Sequence, residues 1–328
     1  MSISKYTPAE YQNWVQASSN RHLLVEGRDD KRAFEMLMRC FIGNDWKDDL
    51  DIDIDTAADL ISGNEAHYSR NCDNVEFISR NISNSEYAER FVGFVDREFR
   101  AFCWDDEFVD HIDRHNIVER LVWSRGHSIE NYCFDISILR DPLIDLSISE
   151  HFGEALNLFR DVFDSAIRLA CAVSLVGLEC DNLQIVGGSI DWHSINICED
   201  KVNLCIDNWR QVLTQKNRLP EDRSGLIIDL YQKWISNVQE ADVYVIRWMC
   251  HGHIGLKVLW EVYARCIYVV CENLDPRQRA SETTRVLSAD MRVRFNACVG
   301  SWCRHSLNSN CEYPRDVFIL LGVEVPKS

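Results

Sequence analysis

Two short apolar runs that each close on an acid constrain this chain more than any other feature. In "HLLVEGRDDKRAF" the run ends at Glu26 and Gly27 and is followed at once by Asp30 and an amphipathic segment; in "RFVGFVDREF" it ends at Asp96 and Glu98. An apolar run that feeds a helical pattern reads as a buried strand of a βαβ unit. Side chains two apart share one face of a strand, so Asp96 and Glu98 are expected to point together, with Glu26 brought beside them by a neighbouring parallel strand. Carboxylates held that close repel and raise one another's pKa, and such a cluster persists around a hard divalent cation, Mg2+ before others. That is the pattern of metal-dependent phosphoryl transfer.

The surrounding sequence supports a small parallel sheet. Thr7, Pro8 and Glu10 form a capping box, so a helix is expected from there to Ala17. Strands are expected at His22 to Val25, through the alternating "DLDIDIDTA", at Phe91 to Val95 and at Ile117 to Trp123, with the aspartate-lined one at an edge. Asp30 is placed to cap a helix carrying Ala33, Phe34, Leu37, Met38 and Phe41, whereas "EFISRNISNSEYAERF" reads as irregular and in part helical. In open parallel sheets the active edge lies at the carboxyl ends of the strands, so Glu26, Asp96 and the Ser128 to Asn131 turn should gather there. From about residue 147 the period becomes helical, with segments expected at 152–176, 199–216, 224–238, 255–273 and 285–305. The expected organisation is an α/β domain over residues 1–145 and a mostly α-helical one over 146–328.

Composition excludes several classes. At 328 residues, 46% hydrophobic and 27% charged, the chain is an ordinary globular one with room for a sizeable core. Its fourteen cysteines include no Cys-x-x-Cys pair and no leader is read ahead of them, which points to free thiols in a reducing cytoplasm. The most apolar long segment, 254–271, carries Lys257, Glu261 and Arg265, so no membrane span is expected. Residues 1–150 hold 30 acidic against 16 basic side chains, a net of −14, and the remainder contributes −3. A body of that charge does not draw nucleic acid by its bulk field, so a nuclease needs cations in its pocket or a local basic surface. Arg277, Arg279, Arg285, Arg292 and Arg294 offer the latter, though a solvated helix face accounts for them better.

Each acid also has a plain structural explanation. Glu26 could simply close a strand, Asp30 cap a helix, Asp96 and Glu98 line an edge, and Glu130 cap the turn before Asn131 and Tyr132. Cys250, His251 and His253, with Cys303 and His305, fit no usual zinc spacing; "HGH" reads as a turn whose histidines are free for substrate, and Lys257 as a phosphate contact or a solvated lysine. No Gly-rich phosphate loop is present.

Taken together, "VEGRDD", "VDREF" and "SIENY" resemble the motifs of Toprim nucleases encoded beside ABC-type ATPases. The layout, a compact Toprim half and a helical half, is similar to the Toprim nucleases of the PARIS anti-phage defence system. The resemblance implies Glu26 as metal ligand or general acid/base, Asp30, Asp96 and Glu98 as carboxylates holding one or two Mg2+ or Mn2+, and Glu130 as a late acidic ligand. Glu98 stands where the family usually has aspartate, one methylene longer. It further implies a nuclease held inactive by an ABC-type ATPase sensor subunit, which on release dimerises and cleaves RNA, tRNA above all, to stop growth. Two alternatives share these residues: a non-catalytic Toprim-like docking subunit of an ATPase complex, and a DNA-directed or primase-like enzyme, although neither a zinc ribbon nor a domain with an evident nucleophilic tyrosine is present.

Overall fold

Thr7 starts the first element as its spacing predicts: its Oγ1 accepts from the Glu10 N–H at 3.3 Å while the Glu10 carboxylate accepts from the Thr7 N–H at 2.8 Å. In the computed structural model, which describes residues 6–61, 70–308 and 311–325, the chain runs α1 (Pro8–Ala17), β1 (Arg21–Val25), α2 (Arg28–Phe41), α3 (Trp46–Leu50), β2 (Ile52–Thr56), α4 (Asn71–Ser83) and β3 (Phe91–Val95). Short strands β4 (Phe102–Cys103), β5 (Val109–Asp110), β6 (Ile117–Val118) and β7 (Leu121–Trp123) precede α5 (Ile136–Ser147), α6 (Phe152–Asp161), α7 (Phe163–Glu179) and α8 (Leu183–Gly188). A hairpin of β8 (Ile195–Cys198) and β9 (Lys201–Leu204) leads to α9 (Ile206–Gln211), α10 (Glu221–Asn237), α11 (Val243–Met249), α12 (Gly252–Val270), α13 (Pro276–Val286), α14 (Met291–Asn308) and α15 (Arg315–Leu320). The protein is mixed α/β, with a small, mostly parallel five-stranded sheet and a large helical share.

Contacts divide the chain into two units, the first of Met1–Arg100, Ile112–Ile129 and Trp302–Ser328, the second of Ala101–His111 and Glu130–Ser301. This differs from a single boundary near residue 145. The reason is α15, whose Phe318 packs on Phe34 and Phe41 of α2 and so belongs with the sheet.

In the first unit the strand order is β2-β1-β3-β7-β6, with β1 parallel to β2 and β3, and β3 parallel to β7. β3 is buried on both faces. Its Phe91 and Val95 join Leu24 of β1 against Tyr11 and Val15 of α1 and Val75, Ile78 and Ile82 of α4, while Phe94 points the other way to meet Phe34 edge-on at 4.9 Å. Gly93 lets α4 come this close, because a Cβ there would lie 2.1 Å from Ser79 Oγ and 3.1 Å from Val75 Cγ1. Gly93→Ala is therefore expected to destabilise the first unit by about 1–3 kcal/mol, read as a lowered urea midpoint.

Several expected boundaries move, each for a local reason. The stretch 76–91, read as irregular and in part helical, is the second half of α4 followed by a turn into β3; Cys72, Val75, Ile78, Ser79 and Ile82 of that helix are buried at helical spacing despite the weak helix formers between them. The strand expected over 117–123 is a β6–β7 hairpin, since Glu119 adopts a left-handed φ of +57° and the Arg120 guanidinium turns to the Phe91 carbonyl at 2.7 Å. β2 is an edge strand as expected, but its aspartates are not simply solvated: Asp55 is buried, accepting from Tyr11 Oη at 2.9 Å with His22 Nδ1 3.5 Å away. α2 begins two residues before Asp30, with Gly27 as N-cap.

The second unit centres on α12, which is buried on every side and packs against α6, α7, α8, α13 and β8. Its Lys257 and Glu261 pair at 3.0 Å, and Glu261 also accepts from the Trp192 N–H at 3.0 Å, so both charges are answered. The helix expected over 152–176 divides at Val162 into α6 and α7. That over 199–216 starts only at Ile206, since Glu199 takes a φ of +56° in the β8–β9 turn. The span 285–305 straddles α13 and α14 because Asp290 Oδ1 accepts from the Val293 N–H at 2.8 Å and opens a new helix. The basic stretch 277–294 is accordingly not one face: Arg285 pairs with Glu282 at 2.6 Å, and Arg294 is buried over the Trp260 ring. Among the described residues no helix is long and apolar enough to cross a membrane.

Candidate active site at the strand ends

The register of the sheet sets the site. Val25 of β1 lies opposite Thr56 of β2 and Phe94 of β3, so the residues just beyond both strands emerge together at their carboxyl ends. The Glu26 backbone is held on one side, where its carbonyl accepts from Ala58 N–H at 3.1 Å and from Thr56 Oγ1 at 3.2 Å. Its side chain reaches the other way, and Oε1 accepts from the Asp96 N–H at 2.7 Å. Glu26 and Asp96, 70 residues apart in sequence, are thus neighbours.

Glu98 arrives by another route than the one alternation predicts. β3 ends at Val95, so the two-residue period of a strand does not extend to Asp96 and Glu98. Instead residues 96–100 form a turn in which Glu98 holds a left-handed φ of +53°, a costly conformation for a side chain of this length. The turn is fixed from beneath. Ser124 Oγ accepts from the Arg97 N–H at 2.9 Å, the His127 carbonyl accepts from the Glu98 N–H at 2.8 Å, and Phe99 meets the His127 ring at 4.6 Å. Arg97 is fully buried, its Nε donating to the Arg100 carbonyl at 2.8 Å and its Nη1 to the carbonyls of Ile112 at 3.0 Å and Arg125 at 3.1 Å.

Three further charged groups complete the site, and sequence reasoning did not select them. Arg100 donates to the Asp96 carbonyl, pairs with Glu76 of α4, and lies over the Trp123 ring at 4.4 Å. Arg70 stands 3.7 Å from Glu98 while also pairing with Asp73 at 3.0 Å. The signal available for Arg100 was its place two residues after Glu98 in "VDREFR"; Glu76 and Arg70 carried none, since the segment around them reads as irregular.

Burial raises the Glu26 pKa to about 7 from its ordinary 4.5, with Glu98 and Glu76 adding repulsion that the Asp96 N–H and Arg100 offset in part. The sign for stability follows. Between pH 4.5 and 7 the folded protein keeps a proton that the unfolded chain releases; the resulting stabilisation is complete below 4.5 and lost as pH rises through 7. The loss amounts to about 3 kcal/mol. Denaturation midpoints measured from pH 5 to 8 should fall more steeply for the native chain than for Glu26→Gln, and parallel curves would show that Glu26 titrates normally.

Asp30 is 7% exposed and bonds backwards, its Oδ2 accepting from the Gly27 N–H at 2.9 Å, so it braces the turn that presents Glu26. Glu130 lies in the second unit, on a 3-10 turn at Ile129–Cys133, buried, with Oε1 3.0 Å from Nδ1 of the exposed His253. Asn131 ties that turn to the start of α12 by donating to the Arg247 and Cys250 carbonyls, both at 2.8 Å. Burial beside His253 lowers the His251 pKa to about 4, leaving its imidazole neutral at pH 7.

For a hard dication the donors at the strand ends fit in kind, being carboxylate oxygens, with the Glu26 pKa pushed up by burial. In position, no group of three or more His, Cys, Asp or Glu side chains converges as metal ligands among the described residues. No protein-family model matches the chain, and no curated protein matches it.

Proposed function

We propose that the chain is a Mg2+-dependent nuclease of the Toprim kind, the toxic effector of a cytoplasmic anti-phage system. In this reading an ABC-type ATPase partner restrains it, and the released homodimer cleaves RNA, tRNA in particular. The observation that supports it most is the meeting of Glu26 and Asp96 at the carboxyl ends of adjacent parallel strands, with Glu26 poised near neutrality. The motif resemblance supplies the remainder.

Asp96 and Glu98 would hold the ion, Glu26 would serve as the general acid/base that the resemblance allows in place of a ligand, Asp30 is the further carboxylate the resemblance assigns beside them, and Glu130 the one it assigns from the later motif. The cation supplies an activated water and charge neutralisation at the leaving oxygen. The chain's own part is to place and exchange protons. Glu26 Oε1 is committed to the Asp96 N–H, which leaves Oε2 to take the proton of an attacking water, and a pKa near 7 suits that exchange at neutral pH. Arg100, closing the 96–100 turn from its carbonyl side, keeps the Asp96 N–H aimed at Glu26. A second reading, an acidic docking subunit without catalysis, draws on the pairing of Glu98 and Glu76 with Arg70 and Arg100.

Digestion of total RNA and of plasmid DNA by the purified chain, with Mg2+, with Mn2+ and with EDTA, separates these readings. The nuclease reading expects RNA cleavage with either metal and none in EDTA. An intact substrate in every arm, with a dimeric preparation, would leave the docking reading standing.

A further inference from the structure

The second unit holds a cleft of about 660 Å3 between α12, the start of α13 and the β8–β9 hairpin, and its charge is out of keeping with the chain. The protein carries 52 Asp and Glu and a net charge of −17, yet no carboxylate lines this cleft, whereas Arg265 does. Arg265 is half-buried, forms no ion pair among the described residues, and its Nε has no hydrogen-bond partner. Its guanidinium lies 4.9 Å from the Tyr268 ring. A second guanidinium, Arg279, lies over the same ring at 4.1 Å and is held there by two bonds to the Tyr268 carbonyl, at 3.1 and 2.8 Å. Two like charges therefore flank one aromatic ring, and among the described residues no ion pair answers either of them. Burying a cation in that state is costly unless something negative enters.

The rest of the lining says what the anion is attached to. Trp192 forms an aromatic wall with Tyr268, ring centres 5.1 Å apart, and the exposed His193 stacks on Trp192 at 3.6 Å. Asn208 also lines the cleft, its amide nitrogen donating to the His193 carbonyl at 2.9 Å. Flat π-surfaces, an unanswered guanidinium and a rim amide suit a nucleotide splayed from its neighbours, the form in which single strands are bound. We propose that this cleft binds one unstacked nucleotide of a single-stranded RNA segment, the base against the Trp192, His193 and Tyr268 surface and a phosphate on Arg265. The assignment rests on the nuclease reading and adds where the substrate strand is gripped.

The test is binding of a short single-stranded RNA oligonucleotide in EDTA, followed by anisotropy over a salt series, with inorganic phosphate and the same sequence as a duplex for comparison. Arg265→Ala is expected to weaken the single strand about tenfold and to reduce the slope of log affinity against log salt by about one. His193→Ala, an exposed change that leaves the fold alone, should weaken the oligonucleotide and not inorganic phosphate. Near-native affinity in both variants would overturn the proposal, as would equal binding of the duplex. The two readings fail separately. Cleavage by a chain whose cleft variants bind normally removes the cleft and keeps the nuclease; Arg265-dependent binding without metal-dependent cleavage keeps the cleft and removes the nuclease.

Discussion

Glu26→Gln should abolish metal-dependent RNA cleavage and at the same time make the protein more stable at pH 8. The two effects come from one cause. The carboxylate sits among Glu98 and Glu76 in a partly buried position, so ionising it is unfavourable, and the charge is retained against that cost. Glutamine keeps the shape and can still accept from the Asp96 N–H, so the 2.7 Å contact and the strand ends should survive. What it removes is the exchangeable proton and the negative oxygen, which for a positioned acid/base group is worth about 10²–10⁴-fold in rate. Above pH 7 it also removes a destabilisation of about 3 kcal/mol, seen as a higher melting temperature. Cleavage rates and thermal midpoints of the native and variant chains at pH 6 and pH 8 check both. A variant that cleaves at the native rate would strip Glu26 of its role, and one that melts earlier at pH 8 would refute the electrostatic account.

Arg97→Ala is expected to cost the first unit at least about 3 kcal/mol. The guanidinium is fully buried and serves the carbonyls of Arg100, Ile112 and Arg125, joining the turn after β3 to two segments that follow it. Truncation leaves those acceptors without their charged donor, at about 1–3 kcal/mol each, and opens a cavity besides. Against a total stability of about 5–15 kcal/mol this is a large fraction. Arg97→Lys retains the charge but a single ammonium cannot reach three acceptors with a planar fork, so it should fall between the two. Urea titrations followed by near-ultraviolet circular dichroism measure the order native, lysine, alanine. A shift under about 1 kcal/mol for alanine would mean that the turn is held by its backbone bonds alone.

The part of this architecture that could be read from the sequence is the part with strong periodicity. Apolar runs that end on Glu26 and Asp96 located β1 and β3 and their shared edge, and the capping box located α1 to the residue, because in both cases the local pattern and the tertiary burial agree. α4 was legible only as a partly helical stretch, since its helical spacing is interrupted by asparagine and serine and is stabilised by packing on β3 through Gly93. The turn carrying Glu98 was misjudged for a related reason: what shapes it is Ser124, His127 and Arg97, distant in sequence, and not any propensity of its own. Glu76 and Arg70 are legible only once α4 is a helix facing the strand ends. The Arg265 cleft is of the same kind, since a lone arginine in an apolar helix carries no sign of its missing counter-charge until its neighbours are in place.

The return of residues 302–325 to the first unit bears on when its core can close during synthesis. On the ribosome the β-sheet region is synthesised early, but Phe318, which packs on Phe34 and Phe41, is translated only after the whole intervening helical unit. A nascent or prematurely terminated polypeptide would leave the Phe34 and Phe41 side of α2 uncovered, so the core of this unit would close only at the end of translation.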